Sequence, residues 1–358
     1  SKKMLFYDIG RKLRLLDVAS GKFTLIDTGF YDDLLDYDWS PDSRWVVYSK
    51  TGPCKVSGLW LYSLDQEEKF KVSGGEYNDY AAVFSQCGKY VFFISDRDFD
   101  MNFRTGFSSM EFDFIYNNTA RVYALALNRE AADLFKDEND LAQSAPPKEA
   151  DSKDKKKEKD AAKVEPLKVD LEGISERVMV FPFSPGNYGG LADVGGKLLY
   201  LKGRAIRLYD FKTKKDEEVA QGIQTVALSG DNQKLLYRQG EKWGIMDVKP
   251  GQKPGKDMLD LSGLTMKIDP VKEWEQIFND GWRIYRDWFY VQNMHGVDWP
   301  AVREKYARLL PYLSHRADLD YLFGEMVGEL NAGHCYVNWG DFERPKRLEG
   351  GLLGAVLK

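Results

Sequence analysis

One histidine of this chain lies where a side chain could be held rigidly for proton transfer. His334 follows Gly333, at the point where a helical pattern gives way to residues that look extended. We expect Gly333 to end the preceding helix as a C-cap and His334 to open a strand, which would fix the ring at a rigid corner. An imidazole with a pKa of about 6.5 accepts and returns a proton at neutral pH, so His334 is a candidate general base for a serine nucleophile.

The residues alone leave a plainer role open for each histidine. His334 also fits a surface or hydrogen-bonded histidine at a helix end. His295 and His315 lie in turn-like stretches between predicted helices, and we interpret both as structural. His334 could not catalyse hydrolysis alone, because such a base acts by taking the proton of a serine hydroxyl placed beside it.

Other catalytic and metal-binding motifs are missing from the sequence. It contains no HExxH, no GxSxG, no Walker loop and no paired cysteine motif. The acidic stretch from Asp96 to Asn102 opens like a calcium loop, but Met101 stands where the sharp turn needs glycine and Phe107 where the bidentate glutamate belongs. We therefore predict a polar inter-strand loop there, and expect neither a metal nor a cofactor.

A helical period precedes His334 and begins at Ile268. Asp269 and Pro270 supply an N-cap and a first-turn proline, Asp298 begins a second helix, and Asp318 is predicted to cap a third. Aromatic and apolar side chains recur along the first helix with a spacing that indicates packing more than a binding platform. They are Trp274, Ile277, Phe278, Trp282, Tyr285, Trp288 and Phe289.

A β-rich repeat fills the chain before the helices. Polar turns such as Ser40-Pro41-Asp42-Ser43 are each followed by an apolar strand, and the unit returns about every 40 to 50 residues. Each copy then gains a partner strand, at 59–65, 121–127, 206–210 and 243–247, with 13–17 as the tail of an earlier copy. Five such units indicate a β-propeller of four-stranded blades. A β-sandwich is the alternative, although sandwiches rarely show an internal repeat.

One segment interrupts the repeat, between Asp133 and Pro166. From Lys148 to Lys163, twelve of sixteen residues are charged, and only alanine and serine stand between them. Such a composition cannot bury enough apolar surface to offset the entropy of ordering the chain. The seven lysines and five acidic residues are too mixed for a one-signed docking tail. We predict a disordered insertion within a blade.

Charge and hydropathy exclude two classes of partner. The chain has 51 Lys and Arg against 56 Asp and Glu, a net charge of -5. That sign is wrong for holding a polyphosphate backbone, so we expect no nucleic acid partner. No stretch approaches the roughly 18 apolar residues needed to cross a bilayer, so we expect no membrane insertion.

Several motifs together resemble the tricorn protease family, including its bacterial members. Four of them lie in the helical segment, at 279–283, 286–290, 293–299 and 324–334, the last ending in His334. The blade repeats, Asp-Leu-Glu-Gly-Ile at 170–174 and Pro-Gly-Asn-Tyr at 185–188 match the same family. The resemblance covers nearly the whole chain.

The resemblance implies a mainly β fold with a small, mostly α-helical domain after it. Residues 1–266 would be a β-propeller of about five blades, incomplete at its N-terminus and carrying the insertion at 133–166. Residues 267–340 would be the helical domain and residues 341–358 the start of a PDZ domain. The family's catalytic histidine falls on His334, while its serine nucleophile and oxyanion donors would lie beyond Lys358. Gly333 stands where archaeal members have an assisting serine, which leaves that role unassigned.

The implied function is peptide hydrolysis by a serine peptidase. The propeller would serve as a gate or docking ring, the substrate would be a peptide or unfolded polypeptide, and this chain alone would be inactive. The resemblance also leaves room for a homo-oligomer, and bacterial members favour the periplasm over the cytoplasm. The rival interpretation is a non-catalytic β-propeller that binds proteins or peptides.

Overall fold

The computed structural model describes residues 2–340, apart from residues 32, 33, 35, 99, 100, 106–111, 117, 136–165, 257 and 339. The chain divides into two compact units, Ser1–Asp260 and Leu261–Lys358. Most of the predicted insertion and all of the predicted PDZ segment lie outside the described residues. Within the described part, no helix is both long and apolar enough to cross a membrane.

The first unit is built from short strands, as the alternating turns and apolar runs predict. Twenty strands are described in it. They are β1 (Lys3–Tyr7), β2 (Lys12–Asp17), β3 (Phe23–Thr28), β4 (Tyr37–Trp39), β5 (Trp45–Thr51), β6 (Ser57–Ser63), β7 (Glu68–Lys71), β8 (Asp79–Phe84), β9 (Tyr90–Ser95), β10 (Met101–Thr105), β11 (Phe112–Tyr116), β12 (Arg121–Ala126), β13 (Val178–Val180), β14 (Tyr188–Asp193), β15 (Lys197–Lys202), β16 (Ala205–Asp210), β17 (Asp216–Gln221), β18 (Thr225–Leu228), β19 (Lys234–Gln239) and β20 (Lys242–Asp247).

These strands form separate antiparallel sheets that follow one another along the chain. The sheets are ordered β1-β2-β3, β4-β5-β6-β7, β13-β12-β9-β8, β14-β15-β16-β17 and β18-β19-β20, and β10 and β11 form a hairpin of their own. A sandwich would gather its strands into two sheets, whereas a propeller has one small sheet per blade. The predicted mainly β fold, with four-stranded blades and a small helical domain after them, is confirmed.

A repeated serine turn explains why the blades share a sequence pattern. The hydroxyl of Ser40 accepts the N–H of Trp45 at 2.9 Å, and Ser85 and Ser229 do the same for the residue five positions later. Each turn includes one residue with positive φ, such as Ser43 at 59°. The serine side chain thus closes the tight turn that leads from the first to the second strand of a blade.

Apolar side chains fill the space between neighbouring sheets. Between the second and third sheets the fully buried residues include Val47, Leu59, Leu61, Phe93 and Leu125. They alternate along their strands with residues on the opposite face, as the two-residue period of a strand requires. This alternation makes each blade apolar on the faces that meet its neighbours.

Two aspartates, Asp36 just before the first strand of the second sheet and Asp38 within it, hydrogen-bond to the third sheet. The carboxylate of Asp38 accepts the backbone N–H of Phe84 at 2.9 Å. Asp36 accepts the hydroxyl of Ser49 at 2.7 Å and the backbone N–H of Ala81, which sits at a β-bulge with a φ of 54°. Burial raises the pKa of both carboxyls. The groups that donate to these two carboxyls are backbone N–H groups and a serine hydroxyl of the two sheets.

A buried aspartate ties the first sheet to the second. Asp27, only 3% exposed, accepts hydrogen bonds from the Tyr48 hydroxyl at 2.9 Å, from Lys50 at 2.9 Å and from Lys69 at 2.6 Å. Burial by itself raises the pKa of Asp27, but the hydrogen bonds from Lys69 and Lys50 outweigh it and lower that pKa below its usual value. The ionised carboxylate is thus part of the fold at neutral pH.

The described part of the second unit contains three α-helices. They are α1 (Pro270–Trp288), α2 (Trp299–Ala307) and α3 (Arg316–Gly328). Asp269 and Pro270 begin α1 and Asp298 caps α2 by accepting the N–H of Ala301 at 3.0 Å, as predicted. The prediction for α3 is wrong by one turn. His315 is the N-cap, and Asp318 completes a capping box by accepting the N–H of His315 at 2.8 Å.

The aromatic stripe of α1 packs the helices together. The indole N–H of Trp282 donates to the carbonyl of Trp299 at 2.9 Å, and that of Trp299 donates back to the carbonyl of Trp282 at 3.0 Å. Phe278 is fully buried and stacks beside Phe323 of α3. Trp288 is the exception to the predicted stripe, because 53% of it is exposed.

Candidate active site

The segment that carries His334 leaves the third helix earlier than the sequence predicts. The helix α3 ends at Gly328, with Glu329 as its C-cap in a right-handed helical conformation, so the predicted C-cap at Gly333 is wrong. The N–H groups of Leu330 and Asn331 then close two short turns onto the last residues of the helix. The fully buried Leu330 anchors the chain on the helical core before it reaches His334.

His334 lies in a turn, where a strand was predicted. Its φ of 60° places the backbone in the left-handed region, and the following residues have no regular secondary structure. A left-handed residue cannot continue an extended strand, which is the physical reason for the difference. Histidine is among the side chains that enter this region more often than most.

The residues after His334 nevertheless alternate in burial. Cys335 and Val337 pack against the helical core, whereas His334 and Tyr336 are exposed on the other side. Alternate residues of a chain that is close to extended point to opposite sides, so two partly buried side chains hold the backbone while their neighbours face solvent. The ring of His334 is therefore accessible although its backbone is anchored.

Cys335 provides one of these anchors through α1. Burial raises the pKa of the Tyr285 hydroxyl, and the neighbouring Cys335 thiol raises it further. Tyr285 also packs against Trp299, with 6.1 Å between ring centroids. The residue next to His334 is thus connected to the centre of the helical core.

The hydrogen-bond partner of the His334 ring, among the described residues, is Tyr336. The Nδ1 atom of His334 lies 3.1 Å from the Tyr336 hydroxyl, and the two rings meet edge to face with 6.1 Å between centroids. This contact engages one ring nitrogen and leaves Nε2 directed away from it. An imidazole in this state presents one nitrogen for proton transfer.

His295 has a structural environment that contrasts with that of His334. Its Nδ1 lies 2.8 Å from the carbonyl of Leu330, and its Nε2 contacts the hydroxyl of Tyr290. Phe289 packs edge to face against the same ring at 5.1 Å. Both nitrogens are engaged, so His295 joins the end of α1 to the chain just before His334 without a free nitrogen for catalysis.

The sequence offers His334 as a candidate, but it does not indicate the residues that contact and support it. Tyr336, Tyr285 and the link from His295 to Leu330 depend on how the chain folds back onto α1. The one signal in the sequence is the alternation His-Cys-Tyr-Val at 334–337, which places His334 and Tyr336 on one side of the chain. The described residues include no cluster of side chains suited to a metal ion.

The first unit offers a second candidate surface, a cavity of about 290 Å³ on the second blade. Phe30 and Trp60 form part of its wall, and Lys50 and Lys71 add cationic groups. The ammonium of Lys50 lies over the Trp60 ring at 5.6 Å, and that of Lys71 donates to the carbonyl of Gly74 at 3.1 Å. Apolar walls beside positive charge suit an extended peptide that carries a carboxylate.

Comparison with known proteins assigns both units to families. Residues 1–249 match the family described as the tricorn protease second beta propeller domain, and residues 270–328 match the tricorn protease C1 domain. The fold of the chain is similar to the crystal structure of the tricorn protease, with a TM-score of 0.74 at 19% identity, over 94% of this chain and 32% of that one.

Two curated relatives also match nearly the whole of this chain over about a third of their own length. The chain is 25% identical over 375 residues to the tricorn protease homolog of Saccharolobus solfataricus, which covers 99% of this chain and 32% of that protein. It is 25% identical over 382 residues to tricorn protease homolog 1 of Streptomyces coelicolor, covering 97% and 34% respectively. The chain therefore spans about a third of the length of these relatives.

Proposed function

The chain belongs to the tricorn protease family, and from this premise we propose that it carries the general base of a peptide-hydrolysing serine peptidase. The observation that carries the proposal is the placement of His334. Its backbone is anchored by partly buried neighbours that pack against the helical core, its ring is exposed, and one ring nitrogen is held by Tyr336. The relatives that bear the name tricorn protease support the reaction class.

The chemistry follows from the free nitrogen of His334. In the proposed reaction, Nε2 takes the proton from a serine hydroxyl as its oxygen attacks the peptide carbonyl carbon. The same nitrogen then returns that proton to the departing amine, so the histidine ends the acylation step neutral. We place the serine and the oxyanion donors on a longer protein, outside these 358 residues.

A histidine substitution in that longer protein tests the role. His334→Ala should lower the rate of peptide hydrolysis by about 10³-fold or more, because the serine loses its base. His315→Asn is the matched control, since asparagine can still cap α3 and should leave the rate nearly unchanged. The 358-residue chain by itself should hydrolyse no peptide. Peptide hydrolysis by His334→Ala at the unsubstituted rate would contradict the role of His334 as the base, and no peptide hydrolysis by the unsubstituted longer protein would favour the non-catalytic binding module.

We further propose that the propeller acts as a docking ring, with the cavity on the second blade as one contact point for extended substrates. The support is its lining of Phe30 and Trp60 beside the cationic Lys71, whereas the ammonium of Lys50 is already paired with Asp27. A substrate carboxylate beside Lys71 would gain from this charge, which the structure pairs only with the carbonyl of Gly74 among the described residues.

A charge reversal tests this docking surface. Lys71→Glu should weaken binding of a fluorescent unfolded polypeptide by about five-fold or more, measured by anisotropy, because it removes one attraction and adds a repulsion. Lys242→Glu on the last blade makes the same change in net charge away from the cavity. Equal loss of affinity in both variants would show a general charge effect and contradict docking at this cavity.

A further inference from the structure

The hydroxyl nearest to the proposed base belongs to the residue two positions after it. The Tyr336 oxygen lies 3.1 Å from Nδ1 of His334, within the normal range of a hydrogen bond between nitrogen and oxygen. The rings meet edge to face, so the contact fixes both the distance and the orientation of the imidazole.

The way residues 334–337 pack against the helical core supports the contact between His334 and Tyr336. Cys335, between the two residues, is partly buried against the helical core and lies near Tyr285, and Val337 packs against the same core. His334 and Tyr336 are both exposed, on the side away from these contacts. Tyr336 itself is 72% exposed, so its ring contributes little to the core and can be changed without a large packing cost.

We propose that Tyr336 is a positioning residue for His334, an inference that rests on the function proposed above. The phenolic oxygen accepts the Nδ1 proton of the neutral imidazole, which selects the tautomer with an unprotonated Nε2. The tyrosine keeps its own proton, which points to solvent. When Nε2 takes up a proton from the serine, the imidazolium donates a stronger hydrogen bond to the same oxygen.

Removal of the Tyr336 hydroxyl should have a moderate effect on the rate, because this hydroxyl is a neutral hydrogen-bond partner of His334. A hydrogen bond of this kind is worth much less than one to a carboxylate, and solvent competes with it at an exposed site. Loss of the hydroxyl should therefore lower the rate by about 5- to 20-fold and not abolish it.

Nitrogen NMR of the histidine rings tests the inference without any activity. The chain has three histidines, so substituting each in turn assigns the signals. In the unsubstituted chain the neutral His334 ring should be protonated mainly at Nδ1, and Tyr336→Phe should shift it toward the Nε2-protonated tautomer. Tyr312→Phe removes another exposed hydroxyl of the same unit and should not change the tautomer of His334. An unchanged His334 ring in Tyr336→Phe would overturn the inference.

Kinetics of the longer protein separate this inference from the proposed function. Tyr336→Phe should lower kcat with KM nearly unchanged. If His334→Ala is inactive while Tyr336→Phe has the unsubstituted kcat, only the role of Tyr336 fails. If His334→Ala is fully active, the proposed function itself fails.

Discussion

His334 combines an unfavourable backbone conformation with an accessible ring. A left-handed φ costs a residue with a β-carbon about 1–2 kcal/mol, so the surrounding structure must hold it there. Buried Leu330 before it and Cys335 after it supply that hold. Residues kept in such conformations are often functional, and the exposed imidazole gives this one a chemical use.

The candidate site could be proposed from the sequence at the level of one residue but not of its partners. The type of His334, and the motif that ends at it, are visible in the sequence. The bond to Tyr336 and the anchor between Cys335 and Tyr285 are set by which side chains the helical core buries. Which side chains the core buries depends on three-dimensional packing, and the spacing of residues in the local sequence indicates it only weakly.

Asp27 provides a test of residue-scale electrostatics in the propeller. Asp27→Asn leaves Lys50 and Lys69 without their shared carboxylate, and breaking a buried ion pair costs about 3–5 kcal/mol. Lys69 is nearly half exposed, so we expect a loss at the lower end of this range in urea unfolding at pH 7. Asp65→Asn breaks the exposed pair with Arg44 and should cost less than about 1 kcal/mol.

The pH dependence of that loss has a defined direction. The pKa of Asp27 is lowered in the folded state, so its contribution to stability is complete above the unfolded value of 3.8 and is lost as pH falls through the folded pKa. The difference in unfolding free energy between Asp27→Asn and the unsubstituted chain should therefore shrink below about pH 4. A difference that stays constant down to pH 2 would contradict the ionised role of Asp27.

At the scale of elements, strand and helix types were predictable but their ends were not. The apolar runs at β5, β9 and β15 and the helical period of α1 gave the correct elements. The start of α3 was misplaced because aspartate is a common N-cap, whereas here the ring of His315 accepts the N–H of Ala317 at 3.1 Å. The predicted glycine cap failed because α3 ends without a left-handed residue next to it.

The close approach of α1 and α3 depends on a glycine. A β-carbon on Gly281 would lie 2.3 Å from the Phe323 ring, a severe overlap. Overpacking costs about 1–3 kcal/mol, which exceeds the gain of about 1 kcal/mol in helix propensity. We expect Gly281→Ala to lower the unfolding free energy of the helical unit by about 1–2 kcal/mol, measured by the loss of helical circular dichroism in urea.

An exposed glycine in α3 is the matched control. Gly324 is exposed and a β-carbon there would meet nothing within 4 Å. Gly324→Ala should therefore raise the unfolding free energy by about 0.5–1 kcal/mol through helix propensity alone. If the two alanine substitutions had the same effect, the contact with Phe323 would not limit the packing of α1 on α3.

At the scale of the whole chain, the repeat in the sequence predicted the architecture. Each blade needs a tight turn and an apolar strand, and the serine turns at Ser40, Ser85 and Ser229 meet this need with the same hydrogen bond. Links between blades were not predictable. Asp27, Asp36 and Asp38 look like ordinary turn or strand aspartates in sequence, and only the packed sheets reveal their partners.

Covalent labelling of the longer protein tests the central claim, that His334 is the base of a serine peptidase. A fluorophosphonate reacts with a serine only when a neighbouring base has made its oxygen nucleophilic. We predict that the reagent labels one serine outside these 358 residues, and that His334→Ala slows labelling by about 10³-fold or more while His315→Asn does not. Labelling of that serine at an unchanged rate in His334→Ala, or no labelled serine in an active enzyme, would contradict the account.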